Sequence, residues 1–455
     1  MLSARRASQL LRRTFATTAT RRYTPLTVTS PVPTFFDAVR VKGFEDGPIP
    51  AFRVLGPEGV PLNATGQEQA SKADLDTLER MLEVMTTLPI LDQILYSSQR
   101  QGRISFYMTS YGEEGAVVGS AAAWEPEDEV FAQYREVGVL LWRSYPLSSL
   151  MAQVFSTASD AATRGRQMPV HYGSKEHHFH TISSPLGTQL PQASGAAYAL
   201  KRTPGREKNC VICYAGEGAT SEGDFHAGLN KQWVCLKSSV PTRVSLLTQY
   251  VRRFAISTPV AQQYAGDGIA ARGPGYGIDT IRVDGNDPLA VYLACKEARK
   301  TAVDGQKPVL VEAMTYRVGH HSTSDDSSAY RSLSAVESVK KLDSPIFRLR
   351  RYLESLSPPR WSAERDAAVK DSSKRAILKE FSKAEKDKKP PLAEMFGDVF
   401  APVEGEDKVG ADGLERPQRE QKEELKRLIE KWGETPAWKK ELGKFEGGRE
   451  AVLKW

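Results

Sequence analysis

Two polar residues of this chain each follow an apolar, strand-like run, which is where α/β proteins place their chemistry. Glu217 comes directly after the run Val211–Ala215, and His321 comes shortly after the run 309–314. Open parallel sheets bind ligands at the carboxyl ends of their strands. A glycine-flanked carboxylate can hold Mg²⁺ beside phosphate oxygens, and a histidine in a polar loop can transfer protons. Together the two motifs predict a diphosphate ligand held through a metal, with a loop above it.

The elements that must position these residues follow from the periodicity of the chain. From about residue 100 to 335, strand-like runs alternate with small-residue helical segments, which is the pattern of a parallel sheet flanked by helices. Ser71 and Asp74 are helix-start signals, and the leucines that follow them have helical spacing. The sequence therefore predicts an α/β fold.

Composition divides the chain further. Residues 1–30 contain six arginines and no acidic residue, which is typical of a mitochondrial transit peptide. The stretch 31–74 is rich in Pro and Gly and indicates an extended arm. We expect the α/β domain over 75–340, and the charge-dense sequence of 341–455 indicates a helical, partner-facing region.

The charge distribution excludes some classes of protein. The formal net charge of +6 is carried entirely by the six arginines before residue 31, so the rest of the 455-residue chain is formally neutral. A neutral domain gives no support to nucleic-acid binding. The sequence has no run of eighteen apolar residues, so we expect no membrane span. We expect the four cysteines to be small buried thiols rather than disulfides or zinc ligands.

Five motifs recur in the order found in one family. They are FAQYREVG (131–138), GRQMPVHYG (165–173), TISSPLGTQ (181–189), the glycine-flanked Glu217, and the loop of His320 and His321. This set resembles the alpha subunits of the thiamine-diphosphate-dependent decarboxylating components of mitochondrial 2-oxo acid dehydrogenase complexes. The double histidine before Ser-Thr-Ser-Asp-Asp-Ser-Ser resembles the branched-chain members. The pyruvate members remain the alternative.

The resemblance implies a fold, a reaction and partners. It implies the thiamine-diphosphate-binding fold, with an N-terminal arm and a C-terminal helical appendage. It implies oxidative decarboxylation of branched-chain 2-oxo acids such as 3-methyl-2-oxobutanoate, with transfer of the acyl group to a lipoyl group, in the mitochondrial matrix. The implied partners are a beta subunit in an α₂β₂ heterotetramer, the lipoyl acyltransferase component, and a regulatory kinase and phosphatase.

The resemblance also implies roles for individual residues. His321 is the implied catalytic residue. Glu217 is the implied Mg²⁺ ligand, and Phe254 offers a backbone carbonyl. The implied thiamine diphosphate contacts are Gln133, Tyr134, Arg135, Ser184, Leu186, Gly218, Ala219 and His321. The implied K⁺ site is Ser183, Pro185, Thr188 and Gln189. Ser322 and Ser332 match phosphorylation sites, where added negative charge would disorder the loop.

One segment departs from the family pattern. The family has Asn-Asn-Gly before an aromatic-Ala-Ile-Ser-Thr-Pro run, whereas here Val251-Arg252-Arg253 precedes Phe254. The interval 231–253 contains no asparagine, and arginine cannot ligate Mg²⁺. Two interpretations are open: the chain binds the metal poorly and is a structural subunit, or the stretch reflects an error of splicing or reading frame.

Overall fold

The computed structural model describes residues 48–237, 244–251, 254–395 and 416–454. The expected transit peptide, the first part of the expected arm, and Arg252 and Arg253 lie outside the described residues. The described residues belong to one compact unit. The predicted α/β class, with a parallel sheet flanked by helices, is confirmed.

The centre of the fold is a six-stranded sheet in which every neighbouring pair is parallel. Its strand order is β2-β1-β3-β4-β8-β7, and β5 and β6 form a separate antiparallel pair. The strands are β1 (Glu129–Phe131), β2 (Phe179–His180), β3 (Val211–Ala215), β4 (Val244–Val251), β5 (Phe254–Ala255), β6 (Thr258–Pro259), β7 (Asp279–Asp284) and β8 (Val309–Thr315).

Helices connect and cover the strands. The α-helices are α1 (Ala64–Ser71), α2 (Leu75–Arg100), α3 (Glu114–Ala121), α4 (Val137–Trp142), α5 (Leu147–Phe155), α6 (Gln189–Leu200), α7 (Gly223–Lys237), α8 (Val260–Gln263), α9 (Arg272–Gly275), α10 (Pro288–Gly305), α11 (Leu333–Leu342), α12 (Pro345–Ser355), α13 (Ala363–Ala384), α14 (Arg416–Trp432), α15 (Pro436–Leu442) and α16 (Gly448–Leu453). Short 3₁₀ turns lie at Gly218–Ser221, Ser327–Ala329 and Leu392–Met395.

Strand β3 shows why the sheet is covered on both faces. All five of its residues are buried, and they alternate between two hydrophobic clusters. Ile212 and Tyr214 belong to the cluster that includes α2, α3 and α10. Val211, Cys213 and Ala215 belong to the cluster that includes α6 and α7. A side-chain period of two with apolar residues on both faces produces a three-layer structure.

The described part of the expected arm is held against the edge strand β7. The backbone of Phe52 donates to the Arg282 carbonyl at 2.8 Å and accepts from the Asp284 amide at 2.9 Å. The arm is not extended throughout, because 64–71 forms α1, whose start is capped by the Asn63 side chain. Asp74 caps α2 as predicted, accepting from the Thr77 amide.

The helices beyond residue 340 fall into two groups. Leu349, Leu353, Ile377 and Phe381 of α12 and α13 pack into the main core. The helices after residue 416 form a smaller cluster around Ile429 with the 3₁₀ turn Leu392–Met395. The division expected at residue 340 therefore does not coincide with a division of the hydrophobic core.

Two further expectations concern the described residues. No helix described in the structure is long and apolar enough to cross a membrane. Cys210, Cys213 and Cys295 are free, buried thiols, as predicted, and burial raises the pKa of each. The side chain of Cys235 lies outside the described residues.

Candidate active site

The sheet has a topological switch point between β1 and β3. The chain passes from β1 to β2 on one side, and from β3 to β4 on the other. Ligands of open α/β sheets bind at the carboxyl ends of strands at such a point. A cavity of about 200 Å³ lies there. It is lined by Glu113, Gln133, Tyr134, Arg135, Glu136, Leu186, Gly216, Glu217, Gly218, Ala219, Ala255, Ile256, Arg317 and His321.

Glu217 leaves β3 and points a buried carboxylate into this cavity. Its main-chain carbonyl accepts from the Thr220 hydroxyl at 2.7 Å, which fixes the start of the 3₁₀ turn Gly218–Ser221. The residue is 2% exposed, and neither carboxylate oxygen accepts a hydrogen bond of normal geometry from a described residue. Burial raises the pKa of Glu217 against the opposing effects of Gln263, Tyr264 and Arg272. A buried carboxylate without hydrogen bonds is costly unless a cation neutralises it.

His321 lines the same cavity as Glu217 and lies in the segment between β8 and the turn Ser327–Ala329. Its Nε2 lies 3.4 Å from the Tyr134 hydroxyl, and its carbonyl accepts from Arg135 at 2.5 Å. Burial lowers the pKa of His321 to about 3, and the charges of Arg135 and Arg317 act in the same direction. The imidazole is therefore neutral at physiological pH, and its unprotonated ring nitrogen can accept a proton.

A model of the dehydrogenase E1 component family matches residues 82–393, which is more than half of the chain. The chain belongs to the dehydrogenase E1 component family. It is 50% identical over 388 residues to the human protein named 2-oxoisovalerate dehydrogenase subunit alpha, mitochondrial, covering 85% of this chain and 81% of that protein. The protein of the same name from Caenorhabditis elegans is 48% identical, covering 80% of this chain and 82% of its own length. That from Dictyostelium discoideum is 48% identical and covers 77% of each.

Most of the implied cofactor contacts of this E1 chain line the one cavity. Gln133, Tyr134 and Arg135 come from the carboxyl end of β1, and Gly218 and Ala219 follow β3. Gln133 Oε1 accepts from the Gly216 amide at 2.6 Å, which ties the two strand ends together. The fold thus brings together residues that lie far apart in the sequence.

Ser184 is not among the residues that line the cavity. Its hydroxyl lies 2.7 Å from His171 Nε2. His171 Nδ1 lies within 3.2 Å of the carbonyls of Met168 and Pro169, so Nδ1 carries the proton and Nε2 accepts from Ser184. Ser184 therefore positions the 165–173 motif against the 181–189 turn.

Three of the four implied K⁺ ligands lie in the turn before α6, and the fourth, Gln189, is the first residue of that helix. Thr188 Oγ1 donates to the Pro185 carbonyl at 3.1 Å, and Gln189 Nε2 donates to the Tyr214 carbonyl at 3.0 Å. Ser183 is half-buried and precedes Ser184. Gln189 thereby ties this turn to β3.

The segment before Phe254, where the family has its second metal ligand, is only partly described in the structure. The described residues contain no group of three or more His, Cys, Asp or Glu placed to hold a metal. Phe254 begins β5 and is paired with Pro259 of β6. Its neighbours Ala255 and Ile256 line the cavity.

The loop after His321 is closed by backbone and hydroxyl contacts. The His321 amide and the Tyr330 hydroxyl both donate to Asp325 Oδ2, at 2.9 and 2.6 Å. Arg331 donates to the carbonyls of Arg317 and Gly319 at 2.5 and 2.8 Å. Arg331 thus holds backbone carbonyls of the segment that precedes His321.

The two implied phosphorylation sites differ in their surroundings. Ser322 is half-buried, and its Oγ accepts from the Ser324 amide at 3.2 Å. Ser332 is exposed and directly precedes α11.

Three charged residues line the cavity but were not predicted as site residues: Glu113, Glu136 and Arg317. Glu136 Oε2 accepts from the amides of Gln133 and Tyr134, at 3.0 and 2.9 Å, and so shapes the loop after β1. Its position in the same motif as Arg135 could have indicated it. Arg317 lies in the segment before His321, whereas Glu113 precedes α3 in a stretch with no motif that pointed to it.

Proposed function

We propose that this E1 chain is the catalytic alpha subunit of a 2-oxo acid dehydrogenase that acts on branched-chain substrates such as 3-methyl-2-oxobutanoate, in the mitochondrial matrix. The observation that carries the proposal is the single cavity that gathers Glu217, His321, Arg135 and Tyr134 at the switch point of the sheet. The names of the similar proteins support the branched-chain substrate and the mitochondrial location. The arginine-rich segment 1–30 is proposed as the transit peptide.

The lining residues fit a diphosphate held through a metal. Glu217 offers two buried carboxylate oxygens that accept no hydrogen bond of normal geometry from a described residue, and oxygen ligands are those that Mg²⁺ prefers. Arg135 and Arg317 bring positive charge to the same cavity and can attract phosphate oxygens. The turn 183–189 offers carbonyl and hydroxyl oxygens for K⁺. Thiamine diphosphate, when bound, supplies a nucleophilic carbon and an electron sink for decarboxylation.

The chain's own residues then govern position and protons. Tyr134 and Arg135 fix His321 from two sides, at its ring and at its carbonyl. The neutral imidazole can take a proton at Nε2 and return it during acyl transfer to the lipoyl group.

Apolar side chains exposed at the rim of the cavity are an argument for a partner subunit. Leu186 and Ile256 line the cavity and are 39% and 47% exposed. Large apolar side chains exposed at a ligand site are typical of a surface that a partner covers. We therefore propose closure by a beta subunit in an α₂β₂ heterotetramer, which works with a lipoyl acyltransferase. A kinase and a phosphatase are proposed to act on Ser322, with Ser332 as a secondary site.

The experiment that tests this function is substrate competition in the assembled heterotetramer. We expect kcat/KM for 3-methyl-2-oxobutanoate to exceed that for pyruvate by at least about tenfold, because apolar side chains of different size are discriminated by pocket shape. A preference for pyruvate would assign the chain to pyruvate dehydrogenase instead.

A second function is favoured by one observation. The interval 231–253 has no asparagine, so the residue that the resemblance implies as a second metal ligand is missing from the sequence. A structural alpha subunit would keep the fold and bind thiamine diphosphate weakly. The transcript sequence across codons 228–256 separates the alternatives: an asparagine restored there supports the catalytic subunit, and the same sequence supports the structural one.

A further inference from the structure

Glu113 is a buried acid in the cavity for which the motifs gave no role. It precedes α3, is 2% exposed, and lines the cavity opposite the strand ends. Its Oε1 accepts no hydrogen bond from a described residue. The nearest cation is the Nε of Arg135, at 3.9 Å, which is too far for a hydrogen bond.

The charges that act on Glu113 come from several elements. Burial raises its pKa, and Arg135 and Arg317 oppose this effect. The acids that couple to it are Asp92 of α2, the adjacent Glu114, and Glu136 after β1, together with the Tyr134 hydroxyl. Among the groups named here, the two arginines are thus the ones that favour the ionised carboxylate.

A bound diphosphate would change this balance. Its negative charge would attract the same arginines and would repel a carboxylate that lines the cavity. A neutral acid avoids the repulsion and has a hydrogen to donate. We propose that Glu113 takes up one proton from solvent when the diphosphate enters the cavity, and remains there as a neutral acid. This inference rests on the proposed function, because it requires the diphosphate to bind in this cavity.

The chain provides a matched control in the next residue. Glu114 is also a buried glutamate, 4% exposed, and burial raises its pKa to about 8. It does not line the catalytic cavity, and its Oε2 accepts from the Gly112 amide at 2.9 Å. Substitution of Glu113 therefore removes a buried acid that lines the cavity, and substitution of Glu114 removes a similar buried acid that does not.

The experiment is calorimetric titration of thiamine diphosphate with Mg²⁺ into the assembled heterotetramer. Titrations in buffers of different ionisation enthalpy give the number of protons bound, at several values from about pH 6 to about pH 9. We expect proton uptake in the wild type over part of this range, with affinity falling as pH rises. Glu113→Gln should take up fewer protons, by as much as about one. Glu114→Gln should match the wild type.

The outcomes separate this inference from the proposed function. Equal proton counts in the wild type and Glu113→Gln at every pH, with binding intact, would overturn the role of Glu113 alone. No binding to the wild type would overturn both. A loss of the same number of protons in Glu114→Gln would also contradict the role of Glu113.

A second measurement covers a Glu113→Gln variant that does not fold. Infrared difference spectra of the wild type, recorded with inorganic pyrophosphate and Mg²⁺ as the probe, report protonated carboxyl groups through their C=O stretch. Binding should increase this band relative to the carboxylate bands. A decrease, or no carboxyl signal with the probe bound, would contradict the inference.

Discussion

At the scale of single residues, His321 owes its chemistry to its surroundings. Burial and two neighbouring arginines lower its pKa to about 3, so the ring stays neutral over the range in which an exposed histidine titrates. The folded-state pKa lies below the unfolded value, so this contribution to stability is present above about pH 6.5 and is lost as the pH falls toward 3.

The prediction concerns the protonation of His321. In the assembled protein its ring should remain neutral at about pH 5, because desolvation and the charges of Arg135 and Arg317 oppose the cation. Nitrogen NMR of histidine-labelled protein, with His321→Asn used to assign the signal, measures this directly. A signal that titrates near pH 6.5 would show that the cavity is open to water.

Residue-scale prediction from sequence had a clear limit. Glu217 and His321 were placed at one sheet edge because each follows a strand run, and the structure brings both into one cavity. Glu113 was not predicted, because its partners Arg135 and Arg317 come from other elements and leave no local pattern. Ser184 lies beside His171, a long-range contact that spacing does not reveal.

At the scale of elements, the conformation of the loop after β8 depends on hydrogen bonds that share one acceptor oxygen. Asp325 Oδ2 accepts from both the His321 amide and the Tyr330 hydroxyl, and Ser322 lies between these groups in the sequence. Negative charge at Ser322 would stand beside this carboxylate in a half-buried place, where like charges repel strongly.

We predict that Ser322→Glu makes residues 318–332 more sensitive to limited proteolysis and lowers activity of the complex at least about tenfold. Ser332→Glu is the matched control. Its exposed position before α11 favours negative charge at a helix start, so little change is expected. Equal protection of the loop in both variants would count against the electrostatic mechanism.

Helices and strands were predictable from the sequence where the hydrophobic pattern extends over many residues. The alternation of strand-like and helix-like segments predicted the parallel sheet, and Asp74 predicted the start of α2. Helix α1 was missed because its eight residues contain little apolar periodicity, and it depends on the Asn63 cap. The packing of α12 and α13 onto the main core was missed because their charge density concealed a narrow apolar stripe.

At the scale of the whole molecule, buried acids near the cavity limit the pH range in which the folded protein is most stable. Burial raises the pKa of Asp92 and Glu136 to about 7 and that of Glu114 to about 8. Folded-state pKa values above the unfolded ones favour the neutral acids. Their contribution to stability is therefore present below about pH 4.5 and is lost as the pH rises through about 7 to 8.

We predict that thermal stability of the assembled protein falls between about pH 6 and about pH 9, and falls less in Glu114→Gln. The amide is isosteric with the neutral acid and cannot ionise. Thermal midpoints by calorimetry across this range test the prediction, and parallel curves for the two proteins would refute it.

Assembly provides another whole-molecule prediction. The exposed Leu186 and Ile256 at the cavity rim indicate that the alpha chain alone leaves its site open. Expressed without the beta subunit, it should aggregate or bind thiamine diphosphate at least about tenfold more weakly than the heterotetramer. Light scattering and equilibrium binding measure both, and a stable, fully active monomer would exclude obligate assembly.

The most direct measurement is the Mg²⁺ dependence of thiamine diphosphate binding to the heterotetramer, in the wild type and in Glu217→Gln. No described donor reaches the buried oxygens of Glu217 with normal hydrogen-bond geometry, and burial raises the pKa of this carboxylate, so a cation would stabilise its ionised form. We predict tight binding that requires Mg²⁺ in the wild type, and a loss of at least about tenfold in Glu217→Gln. Metal-independent binding, or equal affinities of the two proteins, would contradict a metal-held diphosphate in this cavity.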